Sequence, residues 1–249
     1  MARALGLAPA EARMRMAAEA PALVARLEAE AAGALVRTLR EVGVAALSVG
    51  EQVPSDKDRL LARSFTLTDL GATFTPRSGP AVEVRWPEVV AVLRGLRARR
   101  AEVERSERSK GFSLTTAVAT GGLKMTRTST RTTRSSEEAT EQVVLIYGRD
   151  VQAVLLSEYQ VDFSCLHDGM QPSSTGNMVE LARRVRERAK AAFHDDRLLR
   201  LGRRLLPFLG GGESHSANRT MTVTRTDTGG SFDVLAEVMR QAVAEGLLP

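Results

Sequence analysis

Cys165 stands in the run Ser164-Cys165-Leu166-His167-Asp168, where a thiol, an imidazole and a carboxylate invite a nucleophile. Catalytic triads are built by side chains that meet in space. Residues two and three apart in a turn do not converge on one reacting atom, so Cys165 is expected to be a structural thiol. His194-Asp195-Asp196 and His215 are the remaining metal-like groups. With no second cysteine, no His-Glu-x-x-His motif and no paired Cys/His spacing, metal binding is not expected, and His194-Asp195-Asp196 reads as the end of one helix and the cap of the next. Gly121-Gly122-Leu123-Lys124 and Gly210-Gly211-Gly212 lack the spacing of a phosphate or dinucleotide loop. No cofactor and no metal is expected.

The stronger signal is charge. Residues 94–134 hold eleven Lys/Arg against three Glu, a local +8 in a chain whose net charge is +5. The candidates for binding an anion or a partner are Arg99, Arg100, Lys124, Arg127, Arg131 and Arg134. Hydroxyls separate the last three arginines, a pattern suited to phosphate or carboxylate contacts. No aromatic residue interrupts residues 124–134 to stack on bases, which counts against single-strand binding. Met125–Arg134 is polar at both alternate positions, so a strand there could bury neither face. An exposed hairpin arm or loop is expected. Arg219–Asp227 has the same Thr/Arg texture, and the two segments could pair with each other.

Composition sets the frame. The chain has 249 residues, 43% hydrophobic, 26% charged and 4% aromatic. That is too apolar for disorder throughout, and one cysteine excludes a disulfide framework. No apolar run reaches the ~20 residues that span a bilayer. The start meets charge before any long apolar stretch, so a cytoplasmic, reducing location is expected. Arginine supplies nearly all positive charge, the lysines being only Lys57, Lys110, Lys124 and Lys190. An Arg- and Ala-rich, Lys-poor chain also follows from a GC-rich genome.

The elements that must position these residues read as α+β. Pro9 opens a short helix. Ala22–Leu27 and Val44–Val49 are expected as strands around a helix over 28–42, capped by Gly43. Strands follow at 64–68, 72–75 and 81–85. Trp86-Pro87-Glu88 is expected to open a helix with Val89, Val90, Leu93 and Leu96 on its buried side. Residues 1–105 thereby resemble a ferredoxin-like sandwich in element order. Residues 106–249 read as an antiparallel sheet with packed helices. Gln142–Tyr147 and Val151–Leu156 form a hairpin and Tyr159–Ser164 a third strand. A helix carries Met178, Leu181, Ala182, Val185 and Ala189, and a shorter one lies within 197–206. Residues 210–216 form a Gly-rich loop, and the last helix carries Phe232, Leu235, Ala236, Met239 and Val243.

The expected function is a non-enzymatic, cytoplasmic module that binds a protein or self-associates, regulatory or structural in role. The alternative is nucleic-acid binding through the basic 94–134 segment, and no membrane contact is expected. Salt-insensitive self-association would mark the first, and a steep loss of affinity for generic DNA or RNA with rising salt the second. If the arm is a site, Arg127→Ala, Arg131→Ala and Arg134→Ala together weaken partner binding and leave the melting temperature nearly unchanged. Unfolding of the triple variant in a thermal melt would make the arm architecture instead.

Overall fold

A computed structural model describes residues 8–16, 19–112, 126–207, 209, 212–218 and 221–248. It is α+β, and by contact the chain forms two units. The first gathers residues 1–98, 140–210 and 228–249, and the second 99–139 and 211–227.

The first unit is built on a mixed sheet. Its strands are β1 (Leu60–Leu67), β2 (Gly71–Pro76), β3 (Val82–Arg85), the first part of β4 (Val89–Phe112), the last part of β5 (Thr126–Gly148) and β6 (Val154–Ser157). They lie in the order β3-β2-β1-β6-β5-β4, and β7 (Phe193–Asp195) also pairs with β4. The β1–β2, β2–β3 and β5–β6 pairs are antiparallel, whereas β1–β6 and β4–β7 are parallel. Helices α1 (Pro9–Met16), α2 (Ala29–Glu41), α3 (Ser174–Arg188), α4 (Leu198–Leu201) and α5 (Gly229–Ala244) complete it.

Both faces of this sheet are covered. Val92, Val144, Ile146, Val154 and Leu156 join one core with Met178, Leu181 and Val185 of α3. Their neighbours along the strands, Leu93, Val143, Leu145 and Leu155, join a second core with Leu198, Phe232, Leu235 and Met239. Alternate side chains leave a strand on opposite faces. A sheet buried on both sides therefore needs unbroken apolar runs, and Val143-Val144-Leu145-Ile146-Tyr147 is one.

That double burial overturns the expected helix after Trp86. Trp86–Glu88 is a single 3-10 turn, and Val89 begins β4. A continuous apolar run satisfies the helical spacing and the two-faced strand equally, so periodicity cannot separate them. Gly95 shows the constraint on β4: a Cβ there would stand 2.1 Å from the Phe232 ring. Ala22–Leu27 and Val44–Val49 are not strands either. Both are short and alanine-containing, and they flank α2 in sequence without joining the sheet. Together these changes remove two strands and a helix from the ferredoxin-like order.

Other expectations hold. α2 stops at the positive φ of Gly43, +79°, with the Val44 N–H donating back to the Leu39 carbonyl. The hairpin pairs Val143 with Ser157 and Ile146 with Val154. Tyr159–Ser164, by contrast, turns and enters a 3-10 segment, Phe163–Gly169. The cause is local: the Asp162 carboxylate accepts from the Ser164 N–H, and the Gln160 and Val161 amides bond the Ser157 carbonyl. α5 begins beside β4, where Thr228 exchanges bonds with the Ala98 N–H and carbonyl.

The second unit is the sheet β5-β4-β9-β8, with β8 at Gly212–Asn218 and β9 at Met221–Asp227. β9 pairs antiparallel with β4, Arg99 opposite Asp227 through Arg105 opposite Met221, and β8 pairs antiparallel with β9. The expected loop at 210–216 is thus strand from Gly212 onward; residues 210 and 211 lie outside the described residues. The two Thr/Arg segments do not pair with each other, because β4 runs between β5 and β9.

Leu181 is fully buried. Leu181→Asp is expected to destabilise the protein by several kcal/mol, on the order of 3, read as a large drop in melting temperature. A second expectation concerns Glu158, a buried carboxylate at the start of α3. It accepts from Ser174 Oγ (2.8 Å), Thr175 Oγ1 (2.6 Å) and the Gln142 N–H (2.9 Å). Burial alone would raise its pKa, but these hydrogen bonds outweigh it and hold it below the usual carboxylate range. A lowered acid stabilises the fold above its unfolded value of about 4.3 and loses that contribution as pH falls through the folded value. The melting-temperature gap between the parent and Glu158→Gln is therefore widest at neutral pH and closes below about pH 4.

Candidate functional site

The first four arginines of the basic segment are already matched by carboxylates. In the first unit, Arg94 bonds Asp196 at 3.2 Å, and Arg97 grips Asp56 through two bonds of 2.7 Å. In the second, Arg99 meets Asp227, its register partner on β9, at 3.1 Å, and Arg100 approaches Glu138 at 3.4 Å and Glu102 at 3.6 Å. Arg99 and Arg100 remain exposed, where such pairs contribute little energy, but their charge is locally compensated. Arg127, Arg131 and Arg134 lie on β5, with their side chains outside the described set. Lys124 lies outside the described residues.

What β5 adds is a sheet edge. Its Val143–Ile146 stretch is covered by β6. At Gln142 the N–H goes to the Glu158 carboxylate, and the carbonyl receives the Glu158 N–H at 2.9 Å. At Thr140 the carbonyl accepts from the Tyr159 hydroxyl at 2.5 Å. Before Thr140, no strand among the described residues lies on this side of β5. Backbone groups in a strand point alternately to its two edges. Gln142 and Thr140 face outward, so regular alternation puts Glu138, Ser136, Arg134 and Thr132 outward as well. Thr132, Thr133 and residues 135–139 are exposed, which covers both faces. Of the polar arm expected over 124–134, Thr132 and Thr133 are the residues whose side chains are described, and the rest of that arm's side chains lie outside the described set.

A second constellation, in the first unit, has no counterpart in the sequence reading. Arg59 is 4% exposed; it donates to Asp233 at 2.5 Å and to the Pro54 carbonyl at 2.7 Å. Arg97 reaches the same Asp233 oxygen at 3.2 Å and lies 4.7 Å over the Phe232 ring. Burial would raise the Asp56 carboxyl, yet Arg97 and Arg59 together bring it below its ordinary value. For Asp233 burial prevails over the same two arginines and the shift is upward. The nearby Tyr147 hydroxyl is buried without a hydrogen-bond partner among the described residues, and burial pushes its pKa up to about 12. Arginine and aspartate nearly balance here, and α5 is held against β1 and β4. The arrangement is a structural lock.

The remaining chemistry stays apart. Cys165 is half-buried against the first core, as expected of a structural thiol. His194 and Asp195 form β7 rather than a helix end, because α3 stops at Arg188. Asp195 does cap the next turn, accepting from the Arg197 N–H at 2.7 Å. A cleft of ≈ 360 Å³ opens beside His194, Arg186, Arg197 and Arg200. Its arginines face Asp196, Asp195 and Glu19 respectively, and His194 Nε2 lies 2.8 Å from the Ala189 carbonyl. Among the described residues no group of three His, Cys, Asp or Glu could hold a metal ion, and no helix is long and apolar enough to cross a membrane. Comparison of the chain with protein-family models, with curated proteins and with solved structures gives no match.

Proposed function

We propose that this protein is a non-enzymatic cytoplasmic module that binds a protein through the open edge of β5, by addition of an extended strand. The observation that supports it is the run of β5 before Thr140, exposed at residues 132, 133 and 135–139 and without a strand on its outer side among the described residues. Unpaired outward N–H and C=O groups are a template for another strand, and main-chain bonds then supply the affinity. The single cysteine favours the reducing compartment. The nucleic-acid alternative draws on the basic segment. It is weakened by the carboxylates that face Arg94, Arg97, Arg99 and Arg100, because a phosphate would have to displace them.

A photo-crosslinking side chain placed at Ser136 in the full chain, in its own cell, tests this. A discrete protein adduct is expected, lost when Arg134 or Glu138, whose N–H groups face outward, is replaced by proline. Adducts to nucleic acid alone, weakening steeply with salt, would put the alternative in its place; no adduct at all would overturn both.

A further inference from the structure

Resting on the strand-addition reading, we infer that the occupant of the β5 edge is a second copy of this chain, its β5 running antiparallel to the first. Three observations carry this. The first is the order of charges along the strand: Arg127, Arg131 and Arg134 come first, then Glu137, Glu138 and Glu141. An acidic peptide would match only the first half of that edge, and a basic one only the second. An antiparallel copy matches both, because the basic half of each strand runs beside the acidic half of the other.

The second is space. Among the described residues, the open part of β5 runs from Thr126 up to Gln142, where Glu158 closes the edge. A two-fold pairing that fills this stretch without meeting β6 is centred on Arg134. The third is parity. Arg134 belongs to the outward-facing set fixed by Gln142 and Thr140, so a dyad there sets outward residues opposite outward residues, as a ladder requires. This register places Arg131 opposite Glu137 of the other copy, twice by symmetry; Arg127 falls opposite Glu141, whose carboxylate already accepts from the Ser157 hydroxyl, so the Arg131–Glu137 pairs carry the charge match. Thr140 keeps its bond to Tyr159 or exchanges it for the partner strand at the end of the ladder. The one like-charged position is Arg134 on the dyad itself, and it sets the limit on affinity. Isologous contacts of this kind close on themselves and stop at the dimer.

Sedimentation velocity on the full chain, over a concentration series, tests the inference. The parent is expected to pass from monomer to dimer. Arg131→Glu alone sets Glu against Glu at two positions, and Glu137→Arg alone sets Arg against Arg. Each weakens the dimer about tenfold or more, since cross-strand charge pairs carry up to ~1 kcal/mol apiece. An equimolar mixture of the two variants restores complementary pairs at both positions, so the mixture dimerises where neither variant does alone. Structural damage by either substitution cannot produce that restoration. Ser136→Pro removes an outward N–H beside the dyad and abolishes the dimer in every combination. A parent that stays monomeric, a dimer indifferent to the charge reversals, or a mixture no better than its components overturns the inference. A monomeric parent that still crosslinks from Ser136 to a different protein overturns the second copy alone and leaves the strand-addition reading standing. Absence of both dimer and adduct overturns the two together.

Discussion

Arg59 is a charge inside a packed layer, and the first unit is arranged around neutralising it. Its guanidinium sits just before β1, bonded to Asp233 in the N-terminal half of α5 and to the Pro54 carbonyl. Arg97 of β4 shares the same aspartate and brings in Asp56. Three elements thus meet at one carboxylate. Removing a single partner from such a group leaves an uncompensated buried charge, at a cost of about 3–5 kcal/mol. Replacing the whole network by apolar residues is often neutral, so its main contribution is to specify how α5 lies on the sheet. Phe232, next to Asp233, is fully buried over Gly95, and only a glycine there lets the ring lie so close to the strand. The ion pair and the ring contact are adjacent in sequence and fix the same docking.

β5 passes through two burial regimes. Residues 143–147 are buried, with Val143, Leu145 and Tyr147 in one core and Val144 and Ile146 in the other. Residues 135–139 are exposed whichever way they point. The first stretch is held by the hydrophobic effect, at roughly 25 cal/mol per Å² of apolar area removed from water. The second has little apolar area to bury and depends on its ladder with β4 and on charge. A long polar edge of this kind is what natural sheets guard with charged residues. The guard here is asymmetric, with arginine before glutamate along the strand.

Legibility in the sequence followed the number of covered faces. α3 buries one stripe, readable as Met178, Leu181 and Val185, whereas α5 is buried without a break over 231–237 and was readable through the helical spacing of Phe232, Leu235 and Met239. The 143–156 hairpin was readable because β-branched runs met at a short turn. Val89–Leu96 was not, since a strand covered on both faces shows no period of two. Strand β8 was hidden for the opposite reason. Gly212-Glu213-Ser214-His215-Ser216 offers no apolar pattern, and its pairing to β9 is a backbone ladder. From Thr126 onward the Thr/Arg arm is strand, and its neighbour was not legible: β4 separates it from the similar segment at 221–227. The Arg59–Asp233 pair joins residues 174 apart, and a single sequence names no partner for a buried arginine.

The same pairing decides how the basic segment is to be understood. A local excess of positive charge attracts phosphate only where the fold has left it uncompensated. Arg94, Arg97, Arg99 and Arg100 each face an aspartate or glutamate brought from another element, over sequence separations from 38 to 136 residues. The fold therefore matches these four of the eleven basic residues that the segment displays. Three others lie on β5, where Arg127, Arg131 and Arg134 precede Glu137, Glu138 and Glu141 on one strand, Glu138 already facing Arg100. A polyanion of uniform sign would gain at one end of that edge and lose at the other. A strand whose charges run in the opposite order gains at both, and its backbone also meets the open donors and acceptors that a phosphate chain cannot match in register.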